Sequence, residues 1–113
     1  MKKGPRKYGI LETDMINIIS ILSTNPKTKK VVLFGSRAID NFGPGSDIDI
    51  SWLGDDLGFD DVIEAGLAYD KLFLPYKLDL VIYHQIKEKA LTEHIERVGI
   101  VLYEKQVVTK PNK

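Results

Sequence analysis

One stretch constrains this chain more than any other: Gly35 to Ile50, GSRAIDNFGPGSDIDI. It follows Val31-Val32-Leu33-Phe34, a short run that is apolar on both faces and carries β-branched residues, as an internal strand does. Gly35-Ser36 comes next, then ten residues, then Asp47-Ile48-Asp49-Ile50. A strand sends successive side chains to opposite faces. Asp47 and Asp49 therefore share one face, while Ile48, Ile50 and Trp52 share the other and point to a core. Two carboxylates converging on one side of a strand repel each other unless a cation lies between them. Hard divalent cations such as Mg²⁺ take oxygen ligands, often one or two carboxylates plus substrate phosphates. The Gly-Ser turn after the preceding strand is the natural seat for those phosphates. Gly35 lets backbone approach closely, and Ser36 offers an N–H and a hydroxyl at an expected helix start.

Around this stretch the chain alternates helices and strands. Ile10, Leu11, Met15, Ile18, Ile19 and Leu22 fit a helical stripe, and Ser23-Thr24-Asn25-Pro26 ends it. The cluster Lys27, Lys29, Lys30 reads as a solvated connector rather than a phosphate site. Ser36 to Ile39 is expected to make one or two helical turns before the turn-rich loop Asp40 to Ser46. Two rival phosphate motifs fail there. Gly43-Pro44-Gly45 begins like G-x-G-x-x-G, but Ile48 stands at the third glycine position, and no G-K-[ST] follows Gly35 at P-loop spacing.

The second strand is expected over 47–53, and Gly54 to Gly58 turns the chain. Asp55 and Asp56 read as turn and helix-start charges, not as a second metal site. A helix is expected over 59–73, with Phe59, Val62, Ile63, Leu67 and the Leu72-Phe73-Leu74 end on its apolar side. A third strand, near 78–83, carries Asp79 among apolar residues. Alone, Asp79 would read as a strand-end cap; beside a D-x-D strand it reads as a third carboxylate of one site. A helix over 85–98 follows, with Gly99 where a helix C-cap glycine belongs. A last strand is expected near 100–103. His84 and His94, ten residues apart in a chain without cysteine, do not make a zinc motif.

The expected fold is α/β (α+β): a small mixed sheet of about four strands, with helices mainly on the face opposite the acids. At 113 residues the chain is expected to be one domain, 1–113, with 1–8 and 104–113 flexible. A formal net charge of zero argues against a broad nucleic-acid surface, so no direct nucleic-acid binding is expected. Met1-Lys2-Lys3 resembles a signal-peptide n-region, but no apolar stretch of roughly 7–15 residues follows it. No run approaches the ~18 apolar residues of a membrane span. A cytoplasmic protein without a membrane partner is the expectation.

The pattern Gly35-Ser36, ten residues, Asp47-x-Asp49, with Asp79 on a later strand, resembles the nucleotidyltransferase superfamily typified by polymerase β. The wording GSRA…SDIDI is similar to its minimal (MNT) branch. The resemblance covers most of residues 31 to 83, and only the combined pattern is specific. It implies the nucleotidyltransferase fold and a Mg²⁺-dependent reaction in which a nucleoside monophosphate, AMP from ATP, passes to a hydroxyl with loss of pyrophosphate. Asp47, Asp49 and Asp79 would be the catalytic, metal-binding residues for two Mg²⁺ ions. Asp79 would also be the general base. Gly35 and Ser36 would hold the outer phosphates. Arg37 would either add a phosphate contact or serve as a structural side chain. Larger members carry a helical domain that grips base and acceptor, for which this chain has no length. The resemblance therefore implies a partner: a helical HEPN-domain toxin, with this chain as the antitoxin that modifies its tyrosine. The alternatives are a small-molecule, antibiotic-type nucleotidyltransferase subunit and a binding-only partner without catalysis.

Overall fold

A computed structural model describes residues 4–106 of the chain. It opens with a hairpin, β1 (Arg6–Lys7) against β2 (Ile10–Leu11). Its two turn residues, Tyr8 and Gly9, both have positive φ, 58° and 74°, as the twist of a two-residue hairpin demands. Ile10 and Leu11 are buried strand residues, so the first helix, α1 (Glu12–Ser23), starts two residues later than its apolar stripe suggests. The expected flexible ends lie partly outside the described residues, at 1–3 and 107–113. Within them, Arg6 and Lys7 pair with β2 and Glu104 closes the last strand.

Four strands form the main sheet: β3 (Lys30–Phe34), β4 (Ile48–Leu53), β5 (Leu78–Ile82) and β6 (Ile100–Glu104), in the order β5-β4-β3-β6. β4 runs antiparallel to β3 and parallel to β5, and β3 runs antiparallel to β6, so the sheet is mixed as expected. The parallel pair needs a crossover, and α2 (Phe59–Asp70) supplies it.

Alternation decides which side chains meet. Val31, Leu33, Ile48, Ile50 and Trp52 face α1 and α2 and are buried with Ile18 and Leu22. Burying one such side chain contributes roughly 1.5–3 kcal/mol. The indole N–H of Trp52 donates to Thr28 Oγ1 at 2.8 Å, and that hydroxyl donates to the Leu22 carbonyl at 2.6 Å. The other face buries Val32 and Phe34 under Ile95 of α3 (Lys89–Val98). Two helices thus lie opposite the acids and the third covers part of the acid face.

Two local expectations are corrected, and a third holds with a different backbone. Residues 36–40 make hydrogen-bonded turns, not helix: the N–H groups of Ala38 and Ile39 both donate to the Gly35 carbonyl, and Asp40 leaves at φ 59°. The chain after β5 makes a 3₁₀ turn over Tyr83–Gln85 before α3 begins at Lys89, so His84 lies in that turn. Gly99 is the C-cap of α3 as expected, at a φ of −61° rather than a left-handed one, and a side chain there would meet the Ile95 carbonyl and Val32.

α2 is turned away from its expected contact. Its buried positions are Asp61, Ala65 and Tyr69; of the expected apolar side Val62, Leu72 and Leu74 pack against the core, whereas Phe59, Ile63, Leu67 and Phe73 are exposed. Asp61 is buried because it has partners: it accepts from the Gly58 N–H at 2.8 Å, from Asn25 Nδ2 at 2.8 Å and from Lys27 Nζ at 3.1 Å. The Gly58 contact stabilises the helix start, and it is the main reason the Asp61 carboxyl is held below its ordinary range.

Candidate active site

Phe34, Asp49 and Asp79 stand side by side across β3, β4 and β5, by direct register. Because residues in register share a face, Asp49 and Asp79 point the same way, and Asp47 joins them from just before β4. The three side chains bring one carboxylate oxygen each within 4.8 Å of one another, the one such acidic or histidine cluster among the described residues. Asp47 and Asp49 are half-buried and Asp79 is exposed.

The cluster carries an electrostatic load. Burial, then the neighbouring charges of Asp79 and Asp47, push the Asp49 carboxyl up to about 6. Asp49, which resists ionisation when alone, is a carboxylate that a cation would relieve. The donor set, three carboxylate oxygens without nitrogen or sulfur, fits a hard ion such as Mg²⁺.

Gly35 closes the other side of the site. Its φ of 77° is left-handed, and a Cβ there would run into the Asp49 carboxylate. Only glycine satisfies both conditions. Ser36 follows at the start of the turn, half-buried. Gly35 and Ser36 therefore lie at the end of β3, beside Asp49, as their spacing in the sequence suggests.

Of the two readings for Arg37, phosphate contact and structural support, the geometry fits the second. The residue is 2% exposed. Its guanidinium donates to the carbonyls of Tyr8 at 2.9 Å, Ser46 at 2.8 Å and Asp47 at 3.3 Å. It lies over the rings of Phe42 and Tyr76 at 5.3 and 5.4 Å. Arg37 thus ties the hairpin to the backbone that presents Asp47. Sequence reading missed this knot because its acceptors are main-chain carbonyls, which leave no mark in a sequence; Gly9 and Phe42, packed together beside Arg37, are its only signal.

The lysines of the 27–30 connector are engaged elsewhere. Lys27, Lys29 and Lys30 pair with Asp61, Asp55 and Glu104. Asp55 is exposed and bonded to Lys29 at 2.6 Å, as a turn charge. His94 sits edge-on to Phe34, ring centres 6.2 Å apart. Among the described residues no helix is long and apolar enough to cross a membrane.

Comparisons with known proteins agree with this geometry. A chain of a toxin–antitoxin complex with AMP-PNP superposes with a TM-score of 0.68 at 28% identity, over 81% of this chain and 74% of that one. A chain of the complex between a tri-AMPylated HEPN toxin of Shewanella oneidensis and its MNT antitoxin gives 0.63 at 25%, over 83% and 72%. A mutant of an MntA toxin–antitoxin complex gives 0.62 at 30%, over 79% and 71%. No curated protein matches the sequence. The family model for "Polymerase beta, Nucleotidyltransferase" matches residues 16–107, which contain both the Gly-Ser turn and all three aspartates, and the chain belongs to that nucleotidyltransferase family.

Proposed function

We propose that the protein is a Mg²⁺-dependent nucleotidyltransferase that moves AMP from ATP to a hydroxyl of a partner protein, and that it serves as the antitoxin of a HEPN-type helical toxin in the cytoplasm. The convergence of Asp47, Asp49 and Asp79 beside Gly35 carries the reading. The likeness to MNT antitoxin complexes supports the choice of partner and nucleotide.

The division of labour follows from placement. Asp47 and Asp49 would hold the ion that accompanies the triphosphate, and all three aspartates the second ion. Mg²⁺, when bound there, neutralises phosphate charge and makes a nearby hydroxyl more acidic. The Gly35 N–H and the Ser36 hydroxyl hold the outer phosphates at the end of β3. Asp79, the exposed member, takes the proton of the incoming hydroxyl. Phosphoryl chemistry asks mainly for positioning and charge neutralisation, which fixed strand ends supply. A nucleotidyltransferase that modifies a small antibiotic would use the same residues and differ only in its acceptor.

The test is to incubate the protein with each labelled nucleoside triphosphate, Mg²⁺ and a HEPN-type helical protein, and to read label by intact mass. One AMP or more on the partner, absent for Asp47→Asn, is the expected result. Neutralisation of the partner with no mass added would leave a binding-only protein instead.

A further inference from the structure

β5 is the terminal strand of the main sheet, and among the described residues its outer edge pairs with nothing. Natural sheets blunt such edges with lysine, proline or a covering element. Within β5, Leu78-Asp79-Leu80-Val81-Ile82, there is neither lysine nor proline and the one charge is Asp79, with Lys77 just before it. The strand divides its residues by parity: Asp79 lies in register with Asp49 on the acid face, while Leu78 and Leu80 pack toward α2. On that second face a cleft of about 730 Å³ runs between α2 and the strand, lined by Tyr69, Phe73, Leu74, Leu78 and Leu80 and by the charged residues Asp70 and Lys77, with Asp79 at its rim. Phe73 stands in the loop after α2 at φ 51° with its ring 90% exposed, an aromatic held out of the core beside the cleft.

We propose that the free edge of β5 is the acceptor-binding site, and that it takes an extended polypeptide segment as an added strand. The inference rests on the nucleotidyltransferase reading, because it starts from Asp79 as the group the acceptor hydroxyl must reach. An added strand presents alternate side chains to the two faces of the sheet. Its hydroxyl residue would lie on the acid face next to Asp79, and the residues on either side of it would enter the cleft over Leu78 and Leu80. The wall over Leu78 and Leu80 is aliphatic and aromatic, so the flanking residues that enter there are apolar, while Asp70 and Lys77 add one charge of each sign to the lining. In the transfer, the hydroxyl oxygen bonds to the α-phosphorus and the bond from that phosphorus to the pyrophosphate oxygen breaks. Pyrophosphate leaves with the electron pair, and the hydroxyl proton passes to Asp79.

The probes are three synthetic peptides and an aminoglycoside, each offered with labelled ATP and Mg²⁺. One peptide has tyrosine flanked by leucines, one has it flanked by serines, and one repeats the leucine peptide with N-methylated backbone. Peptide binding is also read without nucleotide, from amide shifts of the isotopically labelled protein, and Mg²⁺-ATP binding is read separately by calorimetry. The leucine peptide is expected to shift the amides of Leu78, Leu80 and Phe73. It should accept label with kcat/KM about tenfold above the serine peptide, and the N-methylated form should do neither. Phe73→Ala should raise the KM of the leucine peptide about fivefold and leave ATP affinity unchanged, whereas Phe59→Ala, an exposed aromatic outside the cleft, should change neither.

Equal use of the serine peptide or of the aminoglycoside overturns the proposal. So does loss of ATP affinity in Phe73→Ala, which would make the cleft a nucleotide subsite, and so does a dimer of the free protein dissolved by that substitution, which would make the edge a self-association surface. Leucine-peptide binding at β5 in a protein that binds no Mg²⁺-ATP would instead sink the nucleotidyltransferase reading while the edge site stands.

Discussion

Arg37 and Asp47, ten positions apart in one stretch, sit in opposite electrostatic surroundings. Arg37 is buried, and its N–H groups find three carbonyl oxygens and two aromatic faces. Asp47, by contrast, joins Asp49 and Asp79 with oxygens inside 4.8 Å, a cluster of like charges. The first arrangement lowers the free energy of the fold; the second raises it and is tolerable because a ligand can reverse it. The two touch through one bond, from Arg37 Nε to the Asp47 carbonyl. Stability of the fold and readiness of the site are therefore carried by different atoms of neighbouring residues. Substitutions should separate them.

The largest expected effect is on function alone. The double variant Asp47→Asn, Asp49→Asn should lose Mg²⁺-dependent ATP binding and at least about a thousandfold in transfer, the scale on which removal of preorganised charge stabilisation is felt. Its apo melting temperature should hold or rise, because repulsion is relieved. Calorimetry with ATP and Mg²⁺, beside a thermal melt in EDTA, checks both halves. A melting temperature that drops by many degrees would mean that the acids support the fold.

Next comes Asp79→Ala, which should lower kcat by about a hundredfold while ATP affinity moves only a few-fold. Asp47 and Asp49 suffice for the ion that travels with the triphosphate, so ground-state binding survives. Single-turnover label transfer separates the chemical step from binding. Transfer at the normal rate would reduce Asp79 to a strand-end residue.

Arg37→Met tests the other half of the comparison. It removes a buried cation from three carbonyls and should cost roughly 2 kcal/mol or more of stability, read by denaturant unfolding. Arg37→Lys should recover only part of this, since one ammonium cannot reach three acceptors in the same plane. If either variant instead weakened ATP binding with unfolding unchanged, Arg37 would be a phosphate ligand after all.

How much of this was legible beforehand depends on what each feature is made of. Side-chain parity is written in the sequence, so Asp47, Asp49, Asp79 and the strands that carry them could be read directly, and Gly35 beside them. The hairpin could not: Tyr8-Gly9 lacks the Asn or Asp that usually marks such a turn, and Ile10 and Leu11 continue the helical stripe of α1. α2 misled in another way. Its apolar positions Phe59, Ile63 and Leu67 form a proper stripe at helical spacing, yet the face that packs on the sheet holds Asp61, Ala65 and Tyr69. Periodicity tells that a stripe exists and not what it meets. Asp61 could turn inward because Gly58, Asn25 and Lys27 satisfy it, and those partners lie in separate segments.

The smallest effect is the one that measures the repulsion itself. Asp49 has its carboxyl pushed up to about 6, by burial first and then by Asp79 and Asp47. An acid whose folded value lies above its unfolded value binds protons more tightly in the folded state. Its protonation therefore stabilises the fold, fully at pH below the ordinary carboxylate range, and that contribution disappears as pH rises through about 6. Metal-free protein should accordingly melt a few degrees higher at pH 5 than at pH 7.5, where a charged Asp49 faces its neighbours. Asp49→Asn removes the titrating group and should flatten this dependence, whereas Arg37→Met should lower the whole curve and move its inflection to slightly higher pH, because the guanidinium charge acts to lower the Asp49 carboxyl. Saturating Mg²⁺ should reverse the trend, because protons and the cation compete for the same oxygens and binding to the folded state adds stability at the higher pH. Melts at several pH values, with EDTA and with Mg²⁺, give the four curves. A wild-type EDTA curve with no change of slope near pH 6 would show that the three carboxylates are relaxed without a ligand, and the contrast with the Arg37 knot would lose its electrostatic basis.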